Sequence, residues 1–527
     1  MVTKWIVFSG GVISGLGKGI ASASVGALLS KKYKIISLKC DGYLNVDPGT
    51  MNPVEHGEVF VLEDGGEVDM DFGHYERFLN INCKSEWNLT MGKVFDIIRK
   101  KERKGDYLGK TVQYVPHVTN LIKDWWLSVA EREKADIVLL EIGGTVGDIE
   151  NELYIEAARQ LKNHVGEDNI MYSHLTYVPL PFGVKEQKTK PTQQSVNLLR
   201  QRGIIPDLII GRCSKPLTDH IKEKVATYCD VKKEAVISGV DVDCVYKIPL
   251  VFEKEGILKI IKDKLKMKVS SDLRKWKTLV ENIGKGKLVR IAICGKYMKL
   301  EDSYASVVEA LKHSDAHLGC KVEISFIETS GLKDAKKVLE NIDGVIVPGG
   351  FGKRGSEGKI KIIKYCRENK IPFLGLCYGL QLATVEFARN VCDLKNSNST
   401  EIDEKTENPV IDILPEQKEV LDKGGTMRLG SYPAILKRNT KVFSLYGSEK
   451  VSERHRHRYE VNPEYLEILE SNGLVFSGMS PDGRLVEYIE LKDHPFFVGC
   501  QGHPELKSSL LSPAPLFYGF VKAALGR

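Results

Sequence analysis

Short apolar runs recur along the chain, each closed by glycine or polar punctuation and followed by residues at helical spacing. In the front half, Lys4 to Phe8, Lys34 to Leu38, Ile137 to Ile142, Tyr172 to Val178, Pro206 to Gly211 and Ala235 to Ser238 read as strands. Helical stretches separate them, beginning with Ile20 to Leu29, so the alternation is βα and a mostly parallel sheet is expected. Leu273, Trp276, Val280 and Ile283 then fall at helical spacing, and Gly284-Lys-Gly-Lys287 frees the chain. A second α/β region restarts with Val289 to Cys294. It continues with Asp343 to Gly352, a strand ending in glycines, and with Phe373-Leu374 leading to a helical run from Leu380 to Ala388. The pattern predicts a domain over 1–266, a linker over 267–287 and a second domain over 288–527. Lys395 to Lys423 reads as a polar insertion, and Arg99 to Lys104 as a solvated helix face.

Length and composition narrow the class. A chain of 527 residues, 42% hydrophobic and 28% charged, is that of a globular protein of two or three domains. A net charge of +6 is small for that length and gives no argument for nucleic acid or membrane partners, although local sites for polyanions are compatible with it. Eleven scattered cysteines without a C-x-x-C pair suit a reducing cytoplasm better than a disulfide framework or a zinc site. No apolar run approaches membrane-spanning length, and Trp5-Ile-Val-Phe8 runs straight into a glycine loop, as a strand does and a signal peptide does not.

Candidate chemistry is densest at Gly375-Leu-Cys377-Tyr-Gly379. Gly-x-Cys-x-Gly between strand and helix is the pattern of a nucleophile elbow, whose helix N-terminus favours thiolate. A buried inert cysteine is the alternative. Gln501-Gly-His503-Pro-Glu505 supplies a base and a carboxylate to orient it, and favours catalysis. The glycines of Asp343 to Gly352 offer backbone N–H groups that join that of Tyr378 as an oxyanion hole. The run Glu453-Arg-His-Arg-His-Arg-Tyr-Glu460 is too short for a nucleic-acid patch, and small carboxylates or contacts between domains suit it better.

In the front half, Ser9 to Gly19 is a glycine-rich loop between strand and helix that offers N–H groups and Lys18 to phosphates. The Walker pattern is imperfect. Five residues separate Gly11 from Gly17, and Lys18 is followed by Gly19 instead of a hydroxyl residue, so a metal ion must be held elsewhere. Glu141 closes a continuous apolar strand, where a lone buried acid is costly unless paired or metal-bound. The carboxylate-dense segment His56 to Arg77 holds further candidates, and Lys185 to Gln194 suits an anion-binding loop or a solvent loop.

The glutaminase signature resembles class I glutamine amidotransferases. Together with the P-loop variant, Gly-Gly-Thr-Val-Gly-Asp-Ile-Glu150 and Lys188-Thr-Lys-Pro-Thr-Gln193, it resembles the CTP synthase family over nearly the whole chain. That resemblance implies a dethiobiotin-synthetase-like parallel sheet domain followed by an amidotransferase α/β domain. It also implies amination of UTP to CTP through a UTP phosphorylated at the C4 oxygen, with an enclosed route for ammonia. By motif match it gives ATP to Gly15, Leu16, Gly17, Lys18, Gly19, Ile20, Lys39, Asp71, Val240, Asp241 and Val242, and Mg²⁺ to Asp71 and Glu141. UTP falls to Ser14, Lys188, Thr189, Lys190, Pro191, Thr192, Gln193 and Lys224. The product inhibitor CTP shares its triphosphate site and places its base near Asp148, Ile149 and Glu150. Glutamine falls to Gly350, Tyr378, Gly379, Leu380, Gln381, Glu401 and Arg458 around Cys377, His503 and Glu505. GTP as activator, with Gly424 to Gly430 taking part, His56 near the ammonia route and a cytoplasmic homotetramer are also implied.

There are departures from the family pattern. Gly15 stands in place of serine, Tyr378 in place of leucine and Val240 in place of lysine. Gly502 stands in place of an aromatic residue, which is expected to leave space beside His503. A cobyrinic or cobyric acid amidating enzyme is a competing reading, as is a P-loop switch ATPase or filament protein with a vestigial glutaminase.

Overall fold

The computed structural model describes residues 2–51, 57–296, 301–413 and 427–526. His56 and Gly424 to Thr426 lie outside them. The chain divides into two compact units, one of residues 1–48 and 74–277, the other of residues 49–73 and 278–527. The second unit therefore owns a short segment that the chain reaches long before the rest of it.

The first unit is built on seven parallel strands in the order Asn88–Thr90, Ile35–Asp41, Ile137–Ile142, Lys4–Gly10, Ile170–Tyr177, Leu208–Cys213, Val236–Val240. Ile137 to Ile142 is buried at every position, as a strand covered on both faces must be. The glycine loop after Lys4–Gly10 opens into the helix Lys18–Leu29, whose alanines, serines and glycines are buried. Small residues there let the helix lie close on the sheet: a Cβ on Gly26 would stand 2.7 Å from Leu79. The helix Arg274–Asn282 forms where Trp276 and Val280 were spaced for it. Trp276 is buried against Phe78 and Tyr246, and its indole N–H donates to the Tyr246 carbonyl at 2.8 Å.

The second unit carries a nine-stranded mixed sheet. Lys321–Glu328, Leu288–Gly295, Gly344–Val347, Phe373–Leu376 and Phe497–Cys500 run parallel. Val486–Leu491, Leu474–Met479, Arg428–Leu436 and Lys450–His457 extend it antiparallel. Apolar cores cover both faces of this sheet. Within the span expected as a polar insertion, Ser397–Ser399 and Asn408–Ile413 pair with Tyr459–Val461 in a small sheet.

The early segment adds a two-stranded hairpin, Phe60–Val61 with Glu67–Val68. It is locked against the strand Lys450–His457 and its neighbour. Arg454, fully buried, donates to the Val61 carbonyl at 3.1 Å and to Glu63 at 3.3 Å, and Arg456 donates to Glu67 at 2.8 Å. Gly430, at φ +90°, has the left-handed backbone that glycine tolerates, and a Cβ there would stand 2.6 Å from the Gly65 nitrogen. The basic run around Arg454 thus lies on the last strand of the sheet, with Arg454 buried, and holds carboxylates of this protein itself.

Candidate active site

Phe373–Leu376 ends at Cys377, which takes φ +50° and ψ −102° before the helix Tyr378–Asn390 begins. A β-carbon in that region is strained, and such strain persists where the surroundings fix it. Here the Cys377 N–H donates to the Cys500 carbonyl at 2.7 Å on the neighbouring strand. Gly375 and Gly379 are required by contact: a Cβ on Gly379 would stand 2.1 Å from the Val347 carbonyl oxygen, and one on Gly375 2.8 Å from Gly379. The sulfur is thereby held at a helix N-terminus, where the first N–H groups have no intrahelical acceptor and the dipole favours negative charge.

Phe497–Cys500 runs beside Phe373–Leu376 and delivers His503 and Glu505 to the same end of the sheet. His503 Nδ1 lies 2.7 Å from a Glu505 oxygen, and the ring is also hydrogen-bonded to Cys377. Burial by itself disfavours the imidazolium, but the Glu505 carboxylate and Cys377 overcome it and hold the His503 pKa well above its ordinary value. An imidazolium beside a thiolate is the resting arrangement of a cysteine–histidine pair. Gln501 donates to the sulfur at 3.7 Å, and a Gln381 amide N–H donates to the Tyr459 carbonyl at 2.8 Å.

Cys377, His503, Glu505 and Gln381 line a cavity of about 920 Å³ within the second unit, together with Gly350, Glu401 and Arg458. Glu401 accepts the Gly352 N–H at 3.0 Å, and burial raises its pKa. The Tyr378 hydroxyl donates to the Gly352 carbonyl at 2.8 Å, which ties the elbow to the glycine turn opposite. Leu380 is wholly buried in the apolar core. The structure thus gathers into one cavity seven residues named from sequence, and leaves the Leu380 side chain to packing. The cavity wall also includes Gly349, from the glycine run expected to supply oxyanion-hole N–H groups, and Glu58, from the carboxylate-dense segment; Thr50, Met51, Val59, Val61, Lys296, Tyr304 and Lys359 join them without having been singled out from sequence. A Cβ on Gly349 would lie 2.8 Å from His503 Cε1, so a larger residue there requires the His503 ring to shift. The expectation of space at Gly502 is corrected. A Cβ there would meet the Glu453 Cβ at 2.9 Å and His455 Nε2 at 3.3 Å, because the strand Lys450–His457 fills the room an aromatic side chain would need.

In the first unit the glycine loop has the features of a phosphate cradle. Gly15 and Gly17 adopt φ +72° and +86°, and Gly17 caps the helix that Lys18 opens. Lys18 is buried and donates to the Gly144 carbonyl at 2.7 Å, which joins the loop to Gly143-Gly-Thr145. Beneath the loop His174 bridges Ser9 at 2.9 Å and Ser195 at 2.7 Å. Burial and the charge of Lys18 push its pKa down to about 3, so it is a neutral link. Arg212, which sequence reasoning passed over, donates to the Gly15 carbonyl at 2.6 Å and to Asp241 at 2.9 Å, so it connects the loop to Val240-Asp-Val242.

Lys39 pairs with Asp41 at 2.9 Å on the strand next to Glu141, with Lys39 and Glu141 directly opposite in register. Glu141 is 2% exposed and accepts a hydrogen bond from the Tyr75 hydroxyl. Asp71 opens the helix Asp71–Leu79 and belongs to the second unit's span. Among the described residues no group of three or more His, Cys, Asp or Glu is placed to hold a metal ion. The carboxylate of Glu141 nonetheless fits Mg²⁺, which takes one or two carboxylates and completes its shell with phosphate oxygens and water. Asp148, Ile149, Glu150 and Lys188 are exposed, and Ser14 is exposed on the glycine loop. The helix Lys190–Gln201 begins with Pro191, Thr192 and Gln193; Gln193 donates to the Thr189 hydroxyl at 3.0 Å, and Lys224 lies half-buried on the helix Asp219–Cys229.

An elbow thiol backed by a histidine–carboxylate pair on a mixed α/β sheet defines the second unit as a glutamine amidotransferase of the class I kind, and residues 299–523 match the family described as glutamine amidotransferase class-I. Residues 4–267 match CTP synthase N-terminus. The chain is 53% identical to the CTP synthase of Borreliella afzelii over 99% of both chains, and 52% identical to that of Archaeoglobus fulgidus over 99% of this chain and 98% of the relative. A solved glutaminase domain of Trypanosoma brucei CTPS with bound acivicin is 35% identical, covers 45% of this chain and 94% of its own length, and superposes with a TM-score of 0.43. This chain belongs to the CTP synthase family. Ten of the eleven cysteines are buried and Cys392 is half-buried, and among the described residues no helix is long and apolar enough to cross a membrane.

Proposed function

We propose that this protein converts UTP to CTP at the expense of ATP, with nitrogen taken from the side chain of glutamine. The observation that carries the reading is the cysteine elbow with its charged His503–Glu505 partner on a chain whose front half carries a phosphate-type loop. The Cys377 thiolate attacks the glutamine amide carbon while the N–H groups of Gly350 and Tyr378 receive the developing oxyanion. His503 gives its proton to the departing ammonia, leaving a thioester. It then takes a proton from water, which attacks the thioester and releases glutamate. Glu505 holds the ring in place throughout.

In the front half ATP phosphorylates the uracil C4 oxygen, which by itself is no leaving group, and ammonia displaces phosphate to give CTP, ADP and phosphate. Lys18 and Lys39 stabilise the transferring phosphoryl group, with Gly15 to Ile20 and Val240 to Val242 binding ATP. Ser14, Lys188 to Gln193 and Lys224 bind UTP; CTP binds there as inhibitor with its base by Asp148 to Glu150. Glu141 and Asp71 hold Mg²⁺, which neutralises charge on the phosphates when bound. GTP activates the glutaminase, and the enzyme is a cytoplasmic homotetramer.

Glutamine labelled with ¹⁵N in its side-chain amide, supplied with UTP, ATP and Mg²⁺, tests the reading. The label is expected in the exocyclic amine of CTP. Release of labelled ammonia with no labelled CTP overturns it.

A further inference from the structure

Lys359 lies on the helix Ser356–Glu368 directly behind the elbow, and its side chain is 2% exposed. A buried lysine is costly unless its charge serves a purpose. Its ammonium stands 4.9 Å from the centre of the Tyr378 ring, and 3.5 Å from where a Cβ on Gly350 would be. Tyr378 and Gly350 are the two residues whose peptide N–H groups the mechanism proposed above assigns to the oxyanion, and Lys359 lines the same cavity as Cys377. Nothing in the phosphate or glutamine assignments uses it.

We propose that Lys359 is a positioning residue for glutamine hydrolysis, holding the Gly350 turn and the Tyr378 ring in place from behind while its positive charge favours the thiolate and the oxyanion over their neutral precursors. The proposal rests on the triad reading above. Burial and the neighbouring Lys296 bring its pKa down to about 8, against the opposing pull of Cys294, Glu328 and Cys377; Glu401 also faces it. The charge is therefore complete below neutral pH and lost as pH rises through about 8. A neutral lysine removes a charge that acts mainly in the transition state, so the loss falls on kcat and leaves KM nearly unchanged.

Glutamate release by the full chain, followed from pH 6.5 to 9.5, tests this. The unaltered enzyme is expected to lose kcat above about pH 8. Lys359→Met is expected to lower kcat by roughly 10- to 100-fold, less than the roughly 10²- to 10³-fold lost with an oxyanion donor itself, and to abolish the basic limb. Lys359→Arg, which stays charged, should recover most of the rate and carry no limb below pH 9.5. Ammonia-supported synthesis, which proceeds without the thiol, reports that each variant is folded. An unaltered enzyme with no basic limb overturns the proposal whatever the variants do. So does a limb that survives in Lys359→Met, which would belong to His503, or a change confined to KM. Cys377→Ala separates the two readings: if it still hydrolyses glutamine the triad is wrong, and if it is inert while Lys359→Met is normal only the role of Lys359 falls.

Discussion

The two units solve opposite problems. The cavity of the second unit is walled by buried groups whose geometry exists before substrate arrives: a strained elbow, an imidazolium paired at 2.7 Å and a glycine turn tied to Tyr378. The corresponding residues of the first unit divide into a buried floor, Lys18, Lys39 and Glu141, and an exposed rim, Ser14, Asp148 to Glu150 and Lys188. A covalent step at one carbon needs a few atoms held precisely. A nucleotide triphosphate brings its own charge, and needs a floor of N–H groups and cations with a rim that orders around it.

The sharpest way to break this comparison is to remove the thiol. Cys377→Ala is expected to lower glutamine-dependent CTP formation by about 10⁴-fold or more, as loss of a nucleophile does, with ammonia-dependent formation retained. Parallel assays with the two nitrogen sources check it; survival of both rates would show that the preformed cavity does no chemistry. The reciprocal change is Glu141→Ala. It is expected to lower synthesis from either source by roughly 10²- to 10³-fold, in the range of a lost electrostatic stabiliser, with glutamate release intact. Synthesis that continues unaltered would take Glu141 out of the metal site.

How far each region could be read from sequence follows the same division. The elbow was legible because two glycines, a cysteine and a strand–helix junction lie within a few residues, and local sterics dictate that spacing. Glu141 was legible because a lone acid ends an otherwise apolar strand. The hairpin at Phe60–Val68 was not, since Arg454 reaches Glu63 across 391 positions of sequence and only tertiary structure closes that distance. Its carboxylates read as metal candidates, and the run around Arg454 and Arg456 as suited to small carboxylates or to contacts between domains, when Glu63 and Glu67 satisfy Arg454 and Arg456. Lys359 was hidden among Lys359, Lys361 and Lys364: the sequence gives their spacing, and only the packed sheet decides which of them faces inward.

A smaller effect tests how tightly the cavity is preset. Gly349→Ala introduces a Cβ 2.8 Å from His503 Cε1 at a residue without positive φ, so the perturbation is the contact alone. A displaced ring predicts a loss of about 10- to 100-fold in kcat for glutamine hydrolysis, read by glutamate release, with ammonia-dependent synthesis near its normal rate. A normal hydrolysis rate would show that the ring relaxes freely, and that the cavity is less preset than its geometry implies.

The smallest expected effect concerns what burial of ionisable groups costs the second unit away from its chemistry. Asp315, on the helix Ala305–Leu318, is 3% exposed and accepts the Gly284 N–H at 3.0 Å. Burial nevertheless pushes its pKa up to about 6, against the opposing effect of the Gly284 and Val322 N–H groups and Lys312. The folded state therefore holds a proton that the unfolded chain has released between about pH 4 and 6. Stability from this group is greatest in acid and is lost as pH rises through 6, so the carboxylate destabilises the fold at neutral pH. Asp315→Asn keeps the hydrogen bond to Gly284 without the charge. It is expected to be more stable than the parent by about 1–2 kcal/mol at pH 7.5, a figure that allows for partial solvation, and by less than about 0.5 kcal/mol at pH 4.5. Thermal unfolding at the two pH values reads this as a gap in Tm of a few degrees that closes in acid. A gap of the same size at both values would mean that Asp315 is ionised at no cost, and that the second unit buries this charge as easily as the first exposes its own.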